Sequence, residues 1–153
     1  MPASAHPRLW LDSATTARLQ SAFNTNGTTW SALKSFCDTE TAPSWNYQGD
    51  QFFRYAPNFA LCYRITGSST YANKALAILN NNLIPFSTYS TDSGYGIRNY
   101  VPGIAITYDW LYDYPGFTDA MKTSARNKMN AWINWYKTSG YAGRNDYYIC
   151  VNY

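Results

Sequence analysis

Tyr63-Arg64-Ile65-Thr66-Gly67-Ser68-Ser69-Thr70-Tyr71-Ala72-Asn73-Lys74-Ala75 is the stretch whose reading decides the fold. Upstream of it, Phe52, Phe53, Ala56, Phe59, Ala60 and Tyr63 recur with helical periodicity. The pattern stops at Gly67, a residue suited to the left-handed position that closes a helix. Ser68 or Ser69 then caps a second helix, in which Tyr71, Ala75, Ile78, Leu79 and Leu83 form the buried stripe. Two helices joined by so short a turn lie roughly antiparallel, which makes a helical hairpin. Pro57 interrupts the first of them: either that helix starts near Ala56 with Pro57 in its first turn, or it is kinked there.

The same grammar extends in both directions. Toward the N-terminus, Asp12 or Ser13 caps a helix through about Asn24, with Ala17, Leu19, Ala22 and Phe23 as its apolar face. Asn26-Gly27 ends it, and Thr28 or Thr29 opens a partner carrying Trp30, Leu33, Phe36 and Cys37. Toward the C-terminus, Pro102 is expected in the first turn of a helix whose Ile104, Tyr108, Leu111 and Tyr112 share a face. Pro115-Gly116 breaks that helix, and Thr118 caps a long successor striped by Met121, Ala125, Met129, Trp132 and Tyr136. Gly140 and Gly143 end it, and Asn145 or Asp146 opens a further helix. No segment alternates with period two, so the fold class is all-α. Hairpins recurring at roughly 40–45 residues predict a helical repeat in which each hairpin buries its stripe against the next. The expected architecture is a set of antiparallel helical hairpins forming part of an incomplete (α/α) toroid. Residues 1–11 form an extended lead-in and residues 12–153 the helical domain, the chain ending inside a repeat.

Composition narrows the function. With 153 residues the chain can bury one domain's core. Aromatics make up 18% of it and charged residues only 14%, so flat rings with polar tips outnumber the groups that handle phosphates or metals. Tyr and Trp suit sugar rings, which present C–H patches and hydroxyl edges, and the same residues also build ordinary cores. The net charge of +3 comes from scattered basic residues, which argues against nucleic acid as a partner and leaves a mild attraction for anionic polymers. Cys37, Cys62 and Cys150 are an odd number without CxxC spacing, so buried thiols are expected rather than a disulfide framework or a zinc site. No stretch is long and apolar enough to span a bilayer. Calcium-loop, P-loop and dinucleotide fingerprints are missing, so neither cofactor nor metal is expected. The small residues of Ala3-Ser4-Ala5 read either as the remnant of a secretory cleavage site, hence a secreted or periplasmic protein, or as an ordinary flexible terminus.

Three local patterns resemble one group: His6-Pro7-Arg8-Leu9-Trp10-Leu11, the Tyr63 to Ala75 hairpin, and Thr107-Tyr108-Asp109-Trp110-Leu111-Tyr112-Asp113. In this order they look like the N-terminal part of the α/α-toroid polysaccharide lyases, the superfamily of heparinase II/III-like enzymes and alginate lyases. The resemblance implies β-elimination across a glycosidic bond of a uronic-acid-containing polysaccharide, with further hairpins and β-sandwich domains as partners in a longer protein. That chemistry needs donors that neutralise the C5 carboxylate, a base for the adjacent proton and an acid for the leaving oxygen. The resemblance places a catalytic Asn at Asn152, which alternatively only hydrogen-bonds within its helix. It leaves the one histidine, His6, in the lead-in, so the base is a Tyr or a His outside this chain.

Substrate-binding candidates come from composition. Arg98-Asn99-Tyr100 follows a Gly-rich loop, and Arg144-Asn145-Asp146-Tyr147-Tyr148 has the same makeup: Arg to pair with a carboxylate, Tyr to stack, with solvated helix starts as the plainer reading. Trp45 and Tyr47 lie in a loop, either as a ligand surface or folded back as a plug. A glycoside hydrolase would instead need two carboxylates across the bond, with Asp109 or Asp113 joined by Asp92 or Asp146. A glycan-binding or structural helical module without catalysis is the third reading.

Overall fold

Gly67 adopts the left-handed conformation at φ +73° and donates its N–H to Tyr63 O at 2.7 Å, closing one helix so that only Gly67 and Ser68 separate it from the next. Thr66 Oγ1 fastens the turn, donating to Cys62 O at 2.7 Å and accepting from Ser68 N at 3.1 Å. The computed structural model describes residues 5–25, 27–44, 49–85 and 97–138, with the backbone alone at 97–98 and 136–138. Among these residues there are six α-helices and no strand: α1 Ser13–Asn24, α2 Thr28–Thr39, α3 Asp50–Thr66, α4 Ser69–Ile78, α5 Ile97–Leu111 and α6 Asp119–Thr138. A π-helical turn, Leu79–Leu83, prolongs α4.

Helix α3 is the hub, touching α1, α2, α4, α5 and the π-turn. Its Ala56, Pro57, Phe59, Ala60, Cys62 and Ile65 are buried, and a side chain such as Phe59, with no exposed surface, contributes on the order of 2–3 kcal/mol by burial. The hairpins α3–α4 and α5–α6 pack directly. The N-terminal pair differs from expectation, since α1 and α2 each pack chiefly onto α3. Helix α1 buries no residue; Leu19 and Phe23 are half-buried, while Ala17 and Ala22 face solvent. Phe23 still meets Trp30 edge-on at 4.7 Å across the turn into α2.

Pro102, expected in a first turn, and Pro57, expected either in a first turn or at a kink, both lie inside helices. Helix α3 runs continuously from Asp50 through Pro57, and α5 begins at Ile97, well before Pro102. An interior proline forfeits one backbone hydrogen bond and costs about 3 kcal/mol in an isolated helix. Here α3 and α5 pack against each other, which offsets that loss. The approach is close at Gly103, where an added Cβ would stand 3.4 Å from Phe53 Cα. The helix starts agree with their caps: Asp12 Oδ1 accepts from Thr15 N at 2.7 Å, and Thr118 Oγ1 accepts from Met121 N at 3.3 Å.

The cysteine expectation is corrected. Cys37 of α2 and Cys62 of α3 form a disulfide, with Cα atoms 6.8 Å apart and neither residue exposed. Spacing in sequence carries no signal for a bridge that the packing of α2 on α3 creates. Cys150 lies outside the described residues.

Residues 5–11 of the lead-in are non-helical and tied to the end of α5. Asp109 is 5% exposed; its Oδ1 lies 2.5 Å from His6 Nδ1, and its Oδ2 accepts from Arg8 N at 2.7 Å and Leu9 N at 2.8 Å. The His6 ring stacks on Tyr112 at 3.8 Å, and Trp110 Nε1 donates to Leu9 O at 2.8 Å. Trp10 then takes φ +58° at the centre of a γ-turn in which Leu11 N donates to Leu9 O at 2.7 Å. A bulky residue in that region is strained. Because Trp10 is 73% exposed it has little packing to lose, so Trp10→Asn is expected to raise stability by about 0.5–1 kcal/mol in urea unfolding. A loss of stability would mean that the ring is held by contacts rather than merely tolerated.

Candidate functional site

An open groove of about 840 Å³ lies between the end of α2, the segment Glu40–Ser44 and the N-terminal half of α3. Sequence places its parts. Glu40 follows the last turn of α2, while Gln51, Arg54, Tyr55 and Asn58 recur at three- and four-residue spacing along α3 and so share its outer face. Phe36 supplies an apolar wall, its ring edge-on to Tyr55 at 4.8 Å and tilted against Phe59 at 5.7 Å.

A cation from another helix holds this wall in place. Lys74 of α4 donates to Cys37 O at 2.7 Å, Asp38 O at 3.1 Å and Glu40 O at 2.8 Å, satisfying the carbonyls that α2 leaves open at its C-terminus. Its ammonium also lies 5.3 Å from the Phe59 ring centroid. Tyr71, one turn before Lys74, donates its hydroxyl to Asp38, which Lys34 approaches at 2.5 Å from the other side. The hydrogen bond from Lys34, and then that from Tyr71, lowers the Asp38 carboxyl below its ordinary value. Burial, followed by the bond to Asp38 and its charge, pushes the Tyr71 phenol up to about 12.

The Tyr71 shift sets a pH dependence. Between the ordinary value of 10.0 and about 12 the folded protein keeps the Tyr71 proton while the unfolded chain has released it. Its contribution is therefore complete below pH 10 and is lost as pH rises through about 12. Urea midpoints taken from neutral to strongly alkaline pH should fall in this window, and Tyr71→Phe should fall less steeply there. Parallel curves for the two proteins would remove Tyr71 from this role.

Within the groove, Tyr55 donates to Glu40 Oε2 at 3.1 Å. Burial and then the Glu40 bond and charge raise the Tyr55 phenol above the usual tyrosine value. It is therefore protonated at neutral pH, which fits a hydrogen-bond donor or general acid and not a base. Arg54 pairs with Asp50 at 2.8 Å on an exposed surface, a contact weak enough to yield to a ligand. The arrangement offers an aromatic wall with carboxylate, amide and guanidinium groups around it. No group of three or more His, Cys, Asp or Glu suited to a metal ion occurs among the described residues.

The residues singled out from sequence are placed as follows. Tyr100 is 2% exposed; its ring lies in the core 6.3 Å from Phe52 and 6.0 Å from Trp132, and an added Cβ on Gly49, at φ +81°, would meet it at 2.7 Å. It is a packing residue where the sequence reading expected a stacking platform. Asn99 is half-buried in the first turn of α5, beside Arg98, whose side chain is not described. Trp45, Tyr47, Arg144, Tyr147, Tyr148 and Asn152 lie outside the described residues. The groove adjoins the segment in which Trp45 and Tyr47 were singled out, since Glu40–Ser44 forms one of its walls. Glu40 and Tyr55 were missed because Glu40 looks ordinary after the end of α2 and Tyr55 looks ordinary within α3; only the packing of α2 on α3 brings them together. Asp109 has both oxygens occupied and is buried, whereas Asp113 is exposed, so the two do not face a common substrate.

Compared with protein-family models, with curated proteins and with solved structures, the chain matches none. No helix among the described residues is long and apolar enough to cross a membrane.

Proposed function

We propose that this chain is the N-terminal helical part of a polysaccharide lyase of the α/α-toroid kind, and that the groove between α2 and α3 contacts an anionic, uronic-acid-containing polysaccharide. The single observation that carries the reading is the groove itself: Phe36 and Tyr55 as an apolar wall, bordered by Glu40, Gln51, Arg54 and Asn58. The resemblance gains physical sense from Asp109, which joins two of the three strings behind it, His6–Leu11 and Thr107–Asp113, in one hydrogen-bonded cluster. In this reading further hairpins complete the toroid, Asn152 neutralises the substrate carboxylate, and β-sandwich domains follow. The Cys37–Cys62 disulfide favours an oxidising compartment, in keeping with a secreted or periplasmic protein.

The hydrolase reading is weaker, because Asp109 is committed to the lead-in. A glycan-binding module without catalysis is favoured by one feature: Glu40, the carboxylate lining the groove among the described residues, accepts from Tyr55. The lyase reading is tested by the ultraviolet absorbance of the new C4–C5 double bond, using the chain alone and joined to the segments the toroid requires, against a panel of uronic-acid polysaccharides. Absorbance rising with the longer protein supports it, and no rise with either sinks it. Independently, Arg54→Ala and Tyr55→Phe should each weaken retention on an immobilised uronic-acid polymer, roughly three- to tenfold, as expected for the loss of one charged or neutral hydrogen bond. Unchanged retention would remove the groove from glycan recognition.

A further inference from the structure

Trp10 sits at the strained point of the lead-in, in a turn that Gly or Asn would adopt at lower cost. Its φ is +58°, and its ring, 73% exposed, gains little packing in return. Strain of this kind persists where the surroundings enforce it, and it collects in segments that contact ligands. The enforcing element is α5. Arg8 N and Leu9 N both donate to Asp109 Oδ2, at 2.7 and 2.8 Å, and Leu9 O accepts from Trp110 Nε1 at 2.8 Å. On the other side of Trp10, Leu11 N closes the γ-turn and the Leu11 side chain is buried. The backbone is thus held on both sides, while Arg8, Leu9 and Trp10 are all exposed. The Arg8 guanidinium forms no ion pair among the described residues.

A single exposed apolar side chain is ordinary on a protein surface. Three consecutive exposed residues on a backbone fixed by buried groups form a preorganised surface, which loses little freedom when a ligand binds. The chemistry of that surface is specific: an indole offers a flat apolar face with one N–H donor, and a guanidinium pairs bidentately with a carboxylate. We propose that Arg8 and Trp10 form a second contact for the polymer, the indole stacking on a sugar ring and the guanidinium pairing with a uronic carboxylate. The assignment rests on the polymer class proposed above. It does not rest on the α2–α3 groove, whose lining includes neither residue.

The test follows the indole Nε1–H resonances of the intact chain by NMR during titration with a galacturonic acid trimer, against sodium chloride at matched ionic strength. Six tryptophans give six such signals, and Trp10→Asn identifies its own by deletion. A saturable shift of the Trp10 signal with the trimer, and none with chloride, is expected. On an immobilised uronic-acid polymer, Trp10→Asn and Arg8→Gln should each weaken retention roughly tenfold, as for the loss of an aromatic anchor or a charged hydrogen bond. Trp10→Asn is the variant expected above to gain stability, so weaker binding by a more stable protein separates a ligand contact from a folding defect. Wild-type retention in both variants, with Arg54→Ala weakened, overturns this contact and leaves the groove standing. No retention of the wild-type chain overturns both. A Trp10 signal that moves with protein concentration and not with the trimer assigns the segment to a second copy of the chain and likewise overturns the proposal.

Discussion

Asp109→Ala is expected to destabilise the protein by roughly 3–5 kcal/mol, the usual consequence of removing one partner from a buried charged cluster. Asp109 is 5% exposed and accepts from three groups of the lead-in: the His6 ring and the backbone N–H groups of Arg8 and Leu9. Alanine leaves those donors facing a buried space that the carboxylate had filled, so the penalty is paid in desolvated groups as well as in lost bonds. Asp109→Asn keeps the shape and one carbonyl acceptor, and should lose about half as much. Urea unfolding of both variants measures this, and limited proteolysis should cut first within residues 5–11 of Asp109→Ala. A cost under about 1 kcal/mol for the alanine variant would show that the lead-in is not anchored as described.

Removing the Cys37–Cys62 bridge by paired Cys→Ala substitutions is expected to cost a similar amount. The two cysteines are 25 residues apart, and closing a loop of that length limits the unfolded chain by about 3.5 kcal/mol. For a chain of this size the melting temperature should fall by roughly 10 °C. Both residues are fully buried, so dithiothreitol should leave the folded protein oxidised and reduce it only once it unfolds. Mass spectrometry of alkylated samples across a urea series reads this directly. Rapid reduction under native conditions would mean that the α2–α3 contact opens readily.

The helical hairpins were legible because their signals are local. Gly67 offers the left-handed turn, Asp12 and Thr118 offer the caps, and the stripe from Tyr71 to Leu83 recurs at the period of a helix. The errors fell where a distant segment overrode a local rule. Pro102 read as a helix start and Pro57 as a start or a kink, yet each lies inside a helix supported by the packing of α3 against α5. Tyr100 read as a ligand platform because its neighbours are polar, but Phe52, Trp132 and the backbone at Gly49 surround it. His6 and Asp109, 103 residues apart, showed no sign of being partners.

From the sequence alone came the all-α class, most of the helix boundaries and an aromatic-rich, weakly charged composition. Periodicity, capping and composition depend on residues within about one or two turns of each other. Tertiary structure alone decided the Cys37–Cys62 bridge, the tie between Asp109 and the lead-in, the groove that joins Glu40 to Tyr55, and the shielding of Arg64 Nε from solvent. Each of these depends on how α1, α2, the lead-in and α5 are set around α3, and the pairing of distant side chains follows from that packing rather than from any spacing along the chain.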